Sequence, residues 1–280
     1  MPSIFTRTAP RLSLVALFLG LAPTALVPTH AAQAQGLFAN TVVHAEILPG
    51  WRTADGSRMA ALHLQLEPGW HTYWRIPGDA GIAPRFDWSQ SQNIAAIEPI
   101  WPRPMVFRQN GMQSYGYENE LILPLRVTPR NPSRPMAIIG ELAIGACRDT
   151  CMPVDLSVRG ALRGQGAEDR RISASLEARA QTGLPHARTT CRLEPQTRGA
   201  ELTLRMTVPQ VARDEDVVME LPGSGYWISN SRTWREGGEL VAQARIRDPE
   251  HGPVGINRSM VRYTILTDDR MVAAQGCVGG

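Results

Sequence analysis

The sequence predicts an all-β fold: an immunoglobulin-like β-sandwich as N-terminal domain, a helical linker and a second small β-sandwich. Three observations carry this. Short runs of alternating apolar and polar residues recur along most of the chain, and 25 glycines and 22 prolines break them into strand lengths. One stretch past the middle has a helical period instead, and after it the strand-like runs resume. The expected divisions are a signal peptide at 1–34, a first domain at 36–160, a linker at 161–184 and a second domain at 185–280.

The leader is read from its three parts. Arg7 and Arg11 precede an apolar run from Leu12 to Val27, and Ala32-Gln33-Ala34 offers a small-residue cleavage site, so the mature chain is expected to begin near Gln35. An uncleaved anchor helix is the competing reading, and Pro23 and Pro28 weigh against it. Export to a bacterial periplasm also fits an even set of 4 cysteines. The formal net charge of +3 falls further once Arg7 and Arg11 are removed, which leaves no electrostatic footprint for nucleic acid. No later stretch approaches the roughly 18 apolar residues of a membrane span.

In the first domain, residues 41–48 and 58–66 are strand candidates, the latter with Ala60, Leu62, Leu64 and Leu66 on one side, and Glu67-Pro68-Gly69 turns the chain. The aromatic run from Trp70 to Trp74 reads as a buried strand, with His71 and Tyr73 on the opposite parity from Trp70 and Trp74. Residues 84–110 hold Trp101-Pro102-Arg103-Pro104; two prolines so close do not fit a central strand, so an irregular surface loop that covers a site is expected. Residues 121–127 are an apolar strand, and Pro129 to Pro135 a loop.

The stretch around which the domain is organised is Cys147-Arg148-Asp149-Thr150-Cys151. After it, Met152, Val154, Leu156 and Val158 alternate with polar residues; before it, Ile138, Leu142, Ile144 and Ala146 share one parity. A strand running straight through both cysteines would separate their Cα atoms by about 13 Å, beyond the roughly 4.4 to 6.8 Å that a disulfide spans. The chain must turn. With Arg148, Asp149 and Thr150 as a three-residue hairpin loop, the cysteines become the cross-strand pair that closes it, about 4.5 to 5.5 Å apart. By parity the pair belongs to the wetter face. It is either a structural staple or a redox-active dithiol: so small a ring contributes little loop entropy, and exposed disulfides are the labile ones.

From Ala167 to Ala180 the chain is rich in Ala, Glu and Arg, and Ile172, Leu176 and Ala180 recur every fourth residue, which predicts a linker helix ended by Gly183 and Pro185. Beyond it, strands are expected over 189–193, 201–208, 216–221, 225–229, 239–246, 260–267 and 271–278. Cys191 lies in the first and Cys277 in the last. Bridged, they would close a long loop with a stabilisation of about 4 to 5 kcal/mol. A structural staple is the favoured reading, with a second redox pair as the alternative.

The first half resembles the N-terminal periplasmic domain of the DsbD family of thiol:disulfide interchange proteins, especially its ScsB-like branch linked to copper tolerance. Gly69-Trp70-His71-Thr72-Tyr73-Trp74-Arg75 with Pro77-Gly78-Asp79, Trp101 to Phe107, Tyr115-Gly116-Tyr117 running into Leu123-Pro124-Leu125, and Cys147 to Pro153 carry the resemblance. It implies an immunoglobulin-like fold in which Cys147 and Cys151 are the catalytic pair, taking electrons from a membrane-embedded donor and passing them to periplasmic thiol proteins. It also places Tyr73 and His71 beside the pair and a lid over Pro102 to Phe107, with Met105 and Phe107 as the shielding side chains. The better-known members space their cysteines more widely and continue into membrane and thioredoxin-like domains. This chain stops at Gly280 without either, which implies either a separate membrane partner or a protein that has kept the fold and lost the pathway.

The chemistry implied is thiolate attack on a disulfide sulfur, with Arg148 placed to stabilise the thiolate and Asp149 to oppose it. It needs no cofactor. The 6 histidines show no i, i+4 pairing and no Cys-x-x-Cys occurs, so zinc is not expected. Two rivals stand beside exchange. Reduced Cys147 and Cys151 with Met152, His71 or Met105 form a soft donor set suited to copper(I), and a non-catalytic sandwich adaptor would use both disulfides as staples.

Overall fold

The computed structural model describes residues 42–182 and 188–280. The leader at 1–34 and the helix stop at Gly183 and Pro185 lie outside the described residues.

The first half is two facing sheets. One has the order β1 (Val43–Arg52), β2 (Arg58–Leu66), β8 (Glu120–Pro129), β5 (Ile94–Pro99). The other runs β10 (Cys151–Leu162), β9 (Met136–Cys147), β3 (His71–Gly78), β7 (Met112–Glu118), β6 (Met105–Gln109), with the short β4 (Arg85–Asp87) also on β9. Alternation decides what lies between them: Leu62, Leu64, Leu123 and Leu125 from one sheet meet Trp74, Ile138, Leu142, Ile144 and Val154 from the other, all buried.

The far side of β2 is not the solvated face that its alternation implied. Met59 and Ala61 are buried there with Leu48 beneath Ile172 of α1 (Arg170–Glu177), so the helix packs through the predicted stripe onto the outside of the first sheet. His63 fills the same side, each ring nitrogen 2.8 Å from a carboxylate, Glu46 or Glu120. The helix is shorter than its periodic stretch because the Asp169 side chain caps it at Arg171 N and the chain becomes extended by Gln181.

Residues 84–110 are not an irregular loop. They hold β4, β5 and β6, and β5 pairs with β8 while β6 pairs with β7. The prolines that argued against strands sit between them, at 102 and 104, or at strand ends, at 99, where no ladder donor is lost.

The second half is also two sheets: β11 (Gln181–Thr182), β19 (Met271–Gln275), β18 (Arg262–Leu266), β14 (Asp216–Glu220), and β15 (Trp227–Ile228), β17 (Glu239–Arg247), β13 (Ala200–Met206), β12 (Thr189–Pro195), β20 (Val278–Gly279), with β16 (Arg232–Glu236) on β17. Leu202, Leu204, Val217, Met219, Ala242 and Ile265 fill its core. β16 was not expected, because its lone Trp234 stands among charged residues with no apolar alternation. Cys191 and Cys277 are bridged with Cα atoms 5.6 Å apart, and Cys277 lies in the bend between β19 and β20 rather than in a strand.

No strand pair joins the two sets of sheets among the described residues. Side chains join them instead. Val218, Leu266 and Met271 of the second half belong to the apolar cluster of the first, and Arg75 of β3 grips Glu220 with two hydrogen bonds of 3.1 and 2.7 Å.

Candidate functional site

Cys147 and Cys151 close the β9–β10 ladder across the loop Arg148-Asp149-Thr150, with Cα atoms 4.1 Å apart and their sulfurs bonded. Their neighbours Ala146 and Met152 point into the core, so both cysteines leave the sheet on its other face.

Register gathers the rest of the site on that face. His71 pairs with Cys147, Gly116 pairs with both Tyr73 and Met105, and Ser114 pairs with Phe107. Directly opposed residues share a face. His71, Tyr73, Met105, Phe107 and the disulfide therefore line one side of one sheet. The middle strand contributes the small Ser114 and Gly116 there, with Glu118 opposite His71. The space over the two small residues lets Phe107 lie back across β7 onto His71, ring centres 4.8 Å apart.

The two sulfurs are not equivalent. Cys147 is 1% exposed, whereas Cys151 is exposed. The expectation that both lie on a wet face is corrected for Cys147, because Tyr73 and Ile82 cover β9 just before it. A Cβ on Gly145 would come within 2.7 Å of Ile82 Cβ and 3.0 Å of the Tyr73 ring. Glycine is what allows the tyrosine to lie there.

Tyr73 is 2% exposed, donates its Oη hydrogen to Cys147 Sγ at 2.8 Å and lies 3.1 Å from Cys151 Sγ. Burial pushes the phenol pKa up, so the hydroxyl keeps its proton at neutral pH and remains a donor. His71 stands edge-on to Tyr73, ring centres 5.4 Å apart. Burial lowers its pKa against the opposing pull of Glu118, which holds the imidazole neutral near pH 7.

Arg148 is placed differently from the expectation. Its Nε is 3.2 Å from Asp149 Oδ2 and its guanidinium lies 5.4 Å from the Trp70 ring centre, so the hydrogen bond to sulfur comes from Tyr73 instead. Met105 is 49% exposed at the outer edge of the sheet, whereas Phe107 lies against His71. Sequence reasoning missed Gly145, Gly116, Ser114 and Ile82, which make the room and the wall. The signal for the first two was present as glycines within strands, a mark of close approach.

Residues 40–160 match the family model described as Thiol:disulfide interchange protein DsbD, N-terminal. This domain is a DsbD N-terminal domain. A similar solved structure is the crystal structure of the N-terminal periplasmic domain of ScsB from Proteus mirabilis, with a TM-score of 0.63 and 21% identity over 85% of this chain and 92% of that one. At that identity the likeness concerns the fold, and it extends beyond the DsbD-type domain into the second half. No curated protein matches the chain. Thiol–disulfide interchange is thus the chemistry of the DsbD-type domain's family. Among the described residues no helix is long and apolar enough to cross a membrane.

Proposed function

We propose that the protein is a periplasmic thiol–disulfide exchange protein that relays electrons from a membrane-embedded donor to periplasmic thiol proteins through Cys147 and Cys151. The observation that carries this is the asymmetry of the pair: one sulfur is open to solvent, the other is buried, and a buried phenol hydrogen-bonds the buried one.

That asymmetry assigns roles. A donor's thiolate attacks Cys151 Sγ, the bond to Cys147 breaks, and Cys147 leaves as a thiolate while Cys151 is held in a mixed disulfide. Tyr73 Oη already points at the departing sulfur, and a hydrogen bond to a charged acceptor is worth about 1.5 to 3 kcal/mol. The donor's second thiolate then attacks its own sulfur in the mixed disulfide and releases Cys151. Two electrons and two protons have passed to the pair, and the donor has become the disulfide. Toward a client the order reverses: Cys151 attacks and Cys147 resolves. Phe107 on His71 forms a lid beside the pair, and the lid must shift for a partner chain to approach in line with the bond.

The copper(I) reading loses one of its donors, since Met152 packs against the core on the opposite side of the sheet from both sulfurs. Exchange is tested by alkylating the protein after brief mild reduction and mapping the peptides by mass spectrometry. Cys147 and Cys151 are expected to open well before Cys191 and Cys277. Equal resistance of the two bridges would leave both as staples.

A further inference from the structure

The lid strand β6 has two faces, and the second half of the chain holds one of them. Phe107 points at His71; its neighbour Arg108 points the other way and donates through Nη2 to Asp216 Oδ2. Gln113, opposite Arg108 on β7, donates to Asp216 Oδ1 at 2.8 Å. Both carboxylate oxygens of one residue in the second half are therefore occupied by the two strands of the lid hairpin. Asn230 Nδ2 adds a hydrogen bond of 2.6 Å to Gln113 O. At the other end of the lid, Arg103 Nη1 donates to the Asp268 carbonyl, and Arg103 N donates to Ala178 O of the linker at 2.9 Å.

β6 is the edge of its sheet, so its ladder bonds come from β7 only. The second half meets this hairpin on the face opposite Phe107, through the side chains of Arg108 and Gln113. Asp216 is 15% exposed by side chain while Arg108 is 54% exposed, so the carboxylate is the sheltered partner that fixes the contact. We propose that Asp216 is a positioning residue for the exchange site: it anchors the lid hairpin to the second half, and its grip sets how often Phe107 lifts from beside the disulfide. The inference rests on the exchange reading above and assigns a role to the second half, which carries none of the reacting sulfurs.

The test compares the rate at which dithiothreitol opens Cys147–Cys151, followed by quenched alkylation, in four proteins: the unaltered chain, Asp216→Ala, the lid-side double variant Arg108→Ala with Gln113→Ala, and all three changes together. Releasing a sheltered carboxylate contact is expected to speed opening roughly three- to tenfold. The two variants should match, and the triple variant should be no faster than either, because both remove the same contact. Cys191–Cys277 should open at one rate throughout, which a general loosening of the fold would not leave unchanged. Unaltered rates at Cys147–Cys151, multiplicative effects in the triple variant, or parallel acceleration of both bridges would each overturn the inference. If Cys147–Cys151 resists the reductant in all four proteins, the exchange reading itself fails and this inference with it.

Discussion

Tyr73 is the residue on which the chemistry turns. Its hydroxyl is buried, protonated and 2.8 Å from the sulfur that would leave as a thiolate. Tyr73→Phe removes that donor and little else, so exchange through the pair is expected to slow about tenfold to a hundredfold, as the lost hydrogen bond to a charged sulfur implies. Stopped-flow reaction with a small disulfide would measure it. His71 carries the pH dependence. Burial depresses its pKa, so between that value and the usual His value of about 6.5 the unfolded chain binds a proton that the folded one does not. Stability is then fully present above that window and falls as pH drops through it. The drop in melting temperature between pH 7 and pH 5 should shrink in His71→Gln. Parity in the sequence put Tyr73 and His71 on one face. The reach of the phenol to sulfur was not legible, because it depends on Gly145 leaving space two residues before Cys147.

At the scale of elements, the β9–β10 hairpin is the part most directly written in the sequence. Alternation on both sides of a three-residue gap fixes the register, and Cys147 pairs with Cys151 as that register requires. Parity misled at Cys147 because it counts sheet faces and not what lies over them: Ile82, from the loop after β3, covers the face near the tip. Gly145→Ala tests that cover. Its new methyl would meet Ile82 and Tyr73, and overpacking of this kind costs about 1 to 3 kcal/mol. Thermal unfolding should register the loss, with the Tyr73 contact to Cys147 disturbed in the same variant. The strands of residues 84–110 escaped the sequence because they are short edge pieces between prolines, held by neighbours far away along the chain.

At the scale of the whole molecule, two sandwiches share an apolar contact and a set of ion pairs that converge on the strands bearing the site. β3 holds Tyr73 against the sulfurs and, two residues later, Arg75 against the buried Glu220. Pairs like this join residues far apart in sequence and leave no periodic trace, so the coupling of the halves was invisible there, whereas the two β-sandwich units were visible from composition and alternation. The Cys191–Cys277 bridge closes a sequence separation of 86 residues, and its removal by Cys191→Ala with Cys277→Ala should cost the second half about 4 to 5 kcal/mol on the chain-entropy model. Denaturant unfolding of that variant, with Cys147–Cys151 intact, would show whether the second half weakens first.

The identity of the attacking sulfur is the most direct measurement. The reduced protein is mixed with glutathione disulfide, quenched early in acid, and the adduct is located by peptide mass spectrometry in Cys147→Ser and Cys151→Ser backgrounds. Glutathione is expected on Cys151 within the first turnover and to be nearly absent from Cys147. A glutathione adduct that forms first on Cys147, or on neither cysteine, would contradict the assignment of an open nucleophile backed by a shielded, phenol-bonded leaving sulfur.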